Sequence, residues 1–124
     1  MEELTLDRTQ NTPYVNFDPG KGVLKLEGRS IPENPGDFYD QLYSWLDDYF
    51  NSPNKLTKFE MRLEYMNSGS SKYILGLFKK IQEYHEKGVE CEVNWYYEED
   101  DESILDLGEH YKTSLSLPFN LIEL

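Results

Sequence analysis

The stretch LTKFEMRLEYMNSGSSK, Leu56 to Lys72, decides the fold. From Leu56 to Met66 the residues alternate. Phe59, Met61, Leu63 and Tyr65 point one way, and Lys58, Glu60, Arg62 and Glu64 the other. A strand with this pattern lies against a core on one face and in water on the other. The alternation stops at Asn67-Ser68-Gly69-Ser70-Ser71, which is turn chemistry. From Lys72 to His85 the apolar residues Ile74, Leu75, Phe78 and Ile81 recur at helical spacing, and Gly88 lies just beyond as a stop. The stretch therefore reads as a strand, a tight junction and the start of a helix.

The same pattern extends in both directions. Upstream, Tyr14–Phe17 and Val23–Gly28 read as two short strands joined through Asp18-Pro19-Gly20-Lys21-Gly22 as a hairpin. Asn34 followed by Pro35 predicts a capped helix start, and Phe38, Leu42, Trp45, Leu46 and Tyr49 give that helix one apolar face. Its tyrosines Tyr39, Tyr43 and Tyr49 suit either the rim of a core or a partner surface. Downstream, Cys91, Val93, Trp95 and Tyr97 alternate with Glu92 and Asn94. A short helix follows with Ile104, Leu105, Leu107 and Tyr111, and Phe119 to Leu124 forms a last strand. The expected order is β-β-α-β-α-β-α-β in a single domain spanning residues 1–124. Crossovers of the β-α-β kind imply parallel neighbours, yet the strands alternate instead of being apolar throughout. A two-layer α/β (mixed α+β) sandwich reconciles the two: a mixed sheet of about five strands, with the helices mainly on one face and a charged ladder on the other.

Composition narrows the functional classes. With 124 residues, 38% hydrophobic and 15% aromatic, the chain can bury a real core. Its 24 acidic and 12 basic residues give a net charge of −12, which repels nucleic acid and anionic membranes alike; neither is expected as a partner. The lone Cys91 allows neither an intrachain disulfide nor a thiolate metal cluster. MEELTLDRTQ lacks the basic start and apolar centre of a secretion signal, and no apolar run reaches the roughly 20 residues of a membrane span, so a cytoplasmic location is expected.

The junction at residues 67–72 is the candidate site. A strand end feeding a helix N-terminus is receptive to anions, with Gly69 for backbone freedom and Ser70 or Ser71 as the expected cap. The plain alternative is a capped helix and nothing more. The segment is not a P-loop. A serine nucleophile would need a base nearby, and His85 stands at the other end of the helix, roughly 20 Å away at 1.5 Å per residue. His85 and His110 each suit a helix C-terminus, and neither has a partner at metal-ligand spacing. The acidic run Glu98-Glu99-Asp100-Asp101-Glu102 lacks the ligand pattern of a calcium loop and reads as a solvated lead into a helix. No cofactor, metal or catalytic centre is expected.

Taken in order, Thr9-Gln10-x-Thr12-Pro13, Gly28-x-Ser30-x-Pro32-Glu33-Asn34, Tyr65-Met66-Asn67-Ser68-x-Ser70-x-Lys72, Trp95-x-Tyr97, Gly108-Glu109 and Pro118-Phe119 make the whole chain resemble the SiaC family of bacterial regulatory phosphoproteins. The resemblance implies a STAS-like, anti-sigma-factor-antagonist-like fold and a non-enzymatic partner switch. It implies phosphorylation by a cognate Ser/Thr kinase and dephosphorylation by a PP2C-type phosphatase. It further implies that the unphosphorylated form binds and activates a diguanylate cyclase, in cyclic di-GMP signalling and biofilm formation. The phosphoacceptor position falls on Ser68, supported by Asn67, Gly69 and Lys72. Where the family carries threonine and then serine, this chain carries Ser68 and then Gly69, a change that bears on kinase preference and leaves Ser70 and Ser71 as rivals. Two other readings stand beside the switch: a small enzyme or anion-binding domain using the 67–72 loop, and a constitutive scaffold.

Overall fold

Nine elements follow one another along the chain in the computed structural model, which describes residues 1–124. They are β1 (Leu4–Leu6), β2 (Tyr14–Asp18), β3 (Val23–Ser30), α1 (Pro35–Tyr49), β4 (Leu56–Met66), α2 (Ser68–Glu86), β5 (Glu90–Tyr97), α3 (Glu102–Ser114) and β6 (Phe119–Glu123). The six strands form one sheet in sequence order, with β1, β2 and β3 antiparallel and β3 to β6 parallel. Each crossover steps to the adjacent strand in the same direction. Right-handed connections repeated in one direction put every helix on the same face, which is why parallel strands here keep one wet side.

The sheet has six strands, one more than the sequence predicts. The extra one is β1, three residues long and too short for alternation to register. It is held by pairing of Leu4 with Phe17 and Leu6 with Val15, and Trp45 of α1 donates its indole N–H to the Glu2 carbonyl at 3.0 Å.

Under the helices lies a core of 25 buried residues. Val15, Phe17, Leu24, Leu26, Phe59, Met61, Leu63, Val93, Trp95 and Phe119 come from the sheet, and Leu42, Leu46, Ile74, Leu77, Phe78, Ile81, Ile104 and Tyr111 from the helices. Phe78 sits at the centre, in edge contact with Phe59, Trp95, Tyr111 and Phe119 at 5.1–6.3 Å between ring centroids. The tyrosine face of α1 belongs to this interior: Tyr39 and Tyr49 are buried and Tyr43 half-buried. In α2 it is Leu77, with Leu75 only half-buried, that joins the core stripe.

The open face carries Lys25, Glu27, Glu60, Arg62, Glu64 and Glu92, of which Arg62 and Glu64 are exposed and Glu60 and Glu92 partly covered. Asn94, expected in water, is buried among these neighbours; it donates to Glu60 at 3.4 Å and accepts from Asn120 at 2.9 Å.

Tyr65 departs from the alternation. It was expected beneath the helices and is 49% exposed. The cause is a bulge. Gly28 pairs with Leu63, but the next pair is Arg29 with Tyr65, so Glu64 is an extra residue in β4 and the facing pattern inverts after it. Tyr65 then shares the outer face with Arg29. Met66 turns inward, where the hydroxyl of Tyr111 approaches its sulfur at 3.8 Å. Gly28 sits at the irregularity with φ +121, a backbone shape that residues with a side chain rarely adopt.

Candidate functional site

The junction after β4 is built by hydrogen bonds that fix all but one of its serines. The backbone N–H of Asn67 continues the ladder by donating to the Ser30 carbonyl at 3.1 Å. Asn67 then caps α2, its side-chain oxygen accepting from the Ser70 N–H at 2.9 Å while its carbonyl accepts from the Ser71 N–H at 3.1 Å. The expectation that Ser70 or Ser71 is the cap is therefore corrected, because Asn67 stands one residue before the helix in extended backbone and its short amide reaches back into the first turn. At α1, Asn34 occupies the cap position but its side chain makes no capping bond, and Pro35 at the first position reduces the number of N–H groups needing one.

The three serines differ sharply. Ser70 is fully buried. It accepts from the Ser30 hydroxyl at 2.8 Å, and Ser30 shares a second bond of 2.6 Å with the Tyr39 hydroxyl, so β3, α1 and α2 are tied by one chain of hydroxyls. Ser71 is half-buried and shares a 3.1 Å bond with the Tyr111 hydroxyl, which also donates to the Ser71 carbonyl at 3.3 Å. Ser68, the first residue of α2, is exposed.

Burial governs the ionisation here. It raises the phenols of Tyr39 and Tyr111 above their ordinary value, so both serve the site as neutral hydroxyls, and their bonds to Ser30 and Ser71 oppose the rise only in part. No charged group is buried at the junction.

Around Ser68, Gly69 is exposed with Pro35 of α1 beside it, close enough that an added Cβ would meet the proline ring at 3.4 Å. Lys72 is exposed one turn along α2. On the other side of the strand end, Arg29 is exposed opposite Tyr65, and Arg8 pairs with Glu64. Sequence reasoning missed Ser30, Tyr39 and Tyr111 as the groups that hold the loop. Ser30 stood in the quoted Gly28-x-Ser30 motif, which was the available signal. The phenols are brought in by α1 and α3 from distant parts of the chain.

The histidines stand apart from this junction. His85 lies at the C-terminal end of α2, its Nδ1 at 3.0 Å from the Val89 carbonyl, and His110 is exposed on α3. No three metal-ligating side chains converge anywhere in the fold, and no helix is long and apolar enough to cross a membrane.

The class that the fold and the junction define is a two-layer α/β domain with its helices on one face of the sheet, its strand-to-helix junction fixed through Asn67, Ser70 and Ser71 with Ser68 left outside. Within that class, the family model for "SiaC family regulatory phosphoprotein" matches residues 6–124, and the chain belongs to the SiaC family. An uncharacterized protein of Pseudomonas aeruginosa strain UCBPP-PA14 is 28% identical over 119 residues, 96% of this chain and 94% of that protein. The crystal structure of apo-SiaC from Pseudomonas aeruginosa is 27% identical, covers 98% of this chain and 99% of its own, and superposes with a TM-score of 0.91. A chain of the crystal structure of the diguanylate cyclase SiaD in complex with its activator SiaC, from the same organism, is 26% identical with the same coverage and a TM-score of 0.92. The family is one of regulatory proteins, not of enzymes.

Proposed function

We propose that this chain is a phosphorylation-controlled partner switch that binds and activates a diguanylate cyclase while Ser68 is unmodified, and lets it go when Ser68 carries phosphate. The observation that carries this reading is the fit, across essentially the whole chain, to the structure of SiaC, which in Pseudomonas aeruginosa is the activator of the cyclase SiaD. A cognate Ser/Thr kinase would add the phosphate and a PP2C-type phosphatase remove it, in the cytoplasm, with cyclic di-GMP and biofilm formation downstream.

Ser68 is the favoured acceptor because it alone among the loop serines is exposed; Ser70 is sealed and Ser71 is engaged by Tyr111. A phosphate adds a charge of about −1.5 to −2. At the first turn of α2 the helix tolerates that charge, so the fold survives while the surface changes. The test is to purify the Ser68→Ala chain and its unmodified parent from the native host and identify what travels with them. A diguanylate cyclase bound to both, and stimulated by both, supports the reading. Loss of the phosphate in Ser68→Ala assigns the acceptor, whereas phosphate retained at parental stoichiometry transfers that role to another residue.

A further inference from the structure

Apart from the chain ends Met1 (63%) and Leu124 (47%), Tyr65 at 49% is the one large apolar side chain the fold leaves exposed. The bulge at Glu64 turns it out. Had β4 kept its alternation, Tyr65 would lie on the helix side with Leu63. Beside it on the same face is Arg29. Of the three arginines in the chain, Arg8 pairs with Glu64 and Arg62 with Glu98, and Arg29 alone has no acidic partner. A phenol ring next to a free guanidinium is an anchor chemistry common at the centres of protein interfaces.

The place of the pair is as telling as its chemistry. Ser30, next to Arg29, accepts the ladder bond from Asn67, and Asn67 precedes Ser68. Tyr65, Arg29 and Ser68 therefore share one end of the sheet. On a surface with net charge −12, an acidic segment is repelled broadly. At this end Arg8 and Arg29 flank an open polar recess with Thr9 and Gln10, so a carboxylate has a guanidinium to meet.

We propose that Tyr65 and Arg29 are the docking anchor for the switch's protein partner, a segment offering an apolar side chain to the ring and an Asp or Glu carboxylate to the guanidinium. This rests on the partner-switch reading and adds how the switch acts. Phosphate on Ser68 brings a second anion to the same end of the sheet, where it competes for Arg29 and repels the incoming carboxylate.

The probe is the purified cyclase recovered from the host with the Ser68→Ala chain, titrated into full-length variants in that background. Tyr65→Ala and Arg29→Gln should each weaken binding about tenfold or more, the loss expected on truncating an anchor residue. Lys21→Gln, at the far end of the sheet, should stay within about twofold, the small effect typical of an isolated exposed charge. Arg29→Gln should also flatten the salt dependence of binding. Because Tyr65 and Arg29 are exposed, melting temperatures should match the parent and show that the variants fold. Parental affinity in both variants overturns the anchor while leaving the partner switch intact. If Tyr65→Ala alters only self-association, the face is a contact between copies and the proposal is likewise overturned. Failure of the parent itself to bind any cyclase removes the switch reading and the anchor with it.

Discussion

Arg29 stands opposite Tyr65 in the β3–β4 ladder, with Glu64 left over as the extra residue between them and the Gly28–Leu63 pair. That one-residue offset separates the buried part of β4 from its exposed end. It gives the sheet a terminus whose outer face carries an aromatic ring and a cation directly before the junction that presents Ser68.

The offset depends on Gly28. Its φ of +121 is strained for any residue with a side chain, and an added Cβ would also come within 3.2 Å of Arg8 Nε. Gly28→Ala should therefore destabilise the domain by about 1–3 kcal/mol, the usual range for a strained backbone position. Chemical denaturation gives the value, and a midpoint equal to wild type would show that the bulge relaxes without cost.

The capping assignment separates structure from switching. Asn67→Ala should lower stability by about 1 kcal/mol through loss of the bond to the Ser70 N–H. Ser68→Ala, an exposed change, should stay within about 0.5 kcal/mol of wild type. Equilibrium unfolding of the two variants side by side checks the contrast, and a larger loss for Ser68→Ala would move the cap.

Gly69 offers the opposite sign. It has no positive φ, and a Cβ there finds only ordinary contact with Pro35 at 3.4 Å. Gly69→Ala should stabilise the domain by about 0.4–1 kcal/mol by restricting the unfolded chain. Loss of stability in the same unfolding assay would mean that the first turn of α2 requires the glycine.

Alkali should unfold the protein through its buried tyrosines. Burial raises Tyr39, Tyr111 and Tyr43, the last from 10.0 to about 12. The unfolded chain gives up these protons first, so their contribution is intact below the ordinary value of 10.0 and declines above it, that of Tyr43 being lost as pH rises through about 12. The melting temperature should fall across that window, and less steeply in Tyr43→Phe. A flat profile from pH 10 to 12 would contradict the burial of these hydroxyls.

Much of this was legible in the residues, for physical reasons that also mark the limits. The alternation in Leu56–Leu63 and Cys91–Trp95 and the helical stripe through Ile74, Phe78 and Ile81 report one-sided burial directly, so the layers and the wet face could be read. The sequence order of the strands follows from short right-handed crossovers. Periodicity assumes an unbroken ladder, so it misassigned Tyr65 as soon as a bulge intervened. It was silent on β1, whose three residues are held by Phe17 and Val15. At the site, Ser68, Ser70 and Ser71 are alike in sequence. What distinguishes them is Tyr39, Ser30 and Tyr111, which arrive from other elements, seal Ser70 and engage the half-buried Ser71.

The central claim is that Ser68 decides whether this chain holds its partner. The most direct measurement is a paired titration of the host's diguanylate cyclase with the unmodified chain and with the same chain carrying phosphate on Ser68 alone, following affinity and cyclase rate together. The unmodified chain should bind and stimulate the cyclase, and the phosphorylated chain should bind at least about tenfold more weakly, a change of about 1.4 kcal/mol or more, without unfolding. Equal affinity and equal stimulation by the two forms would contradict the account.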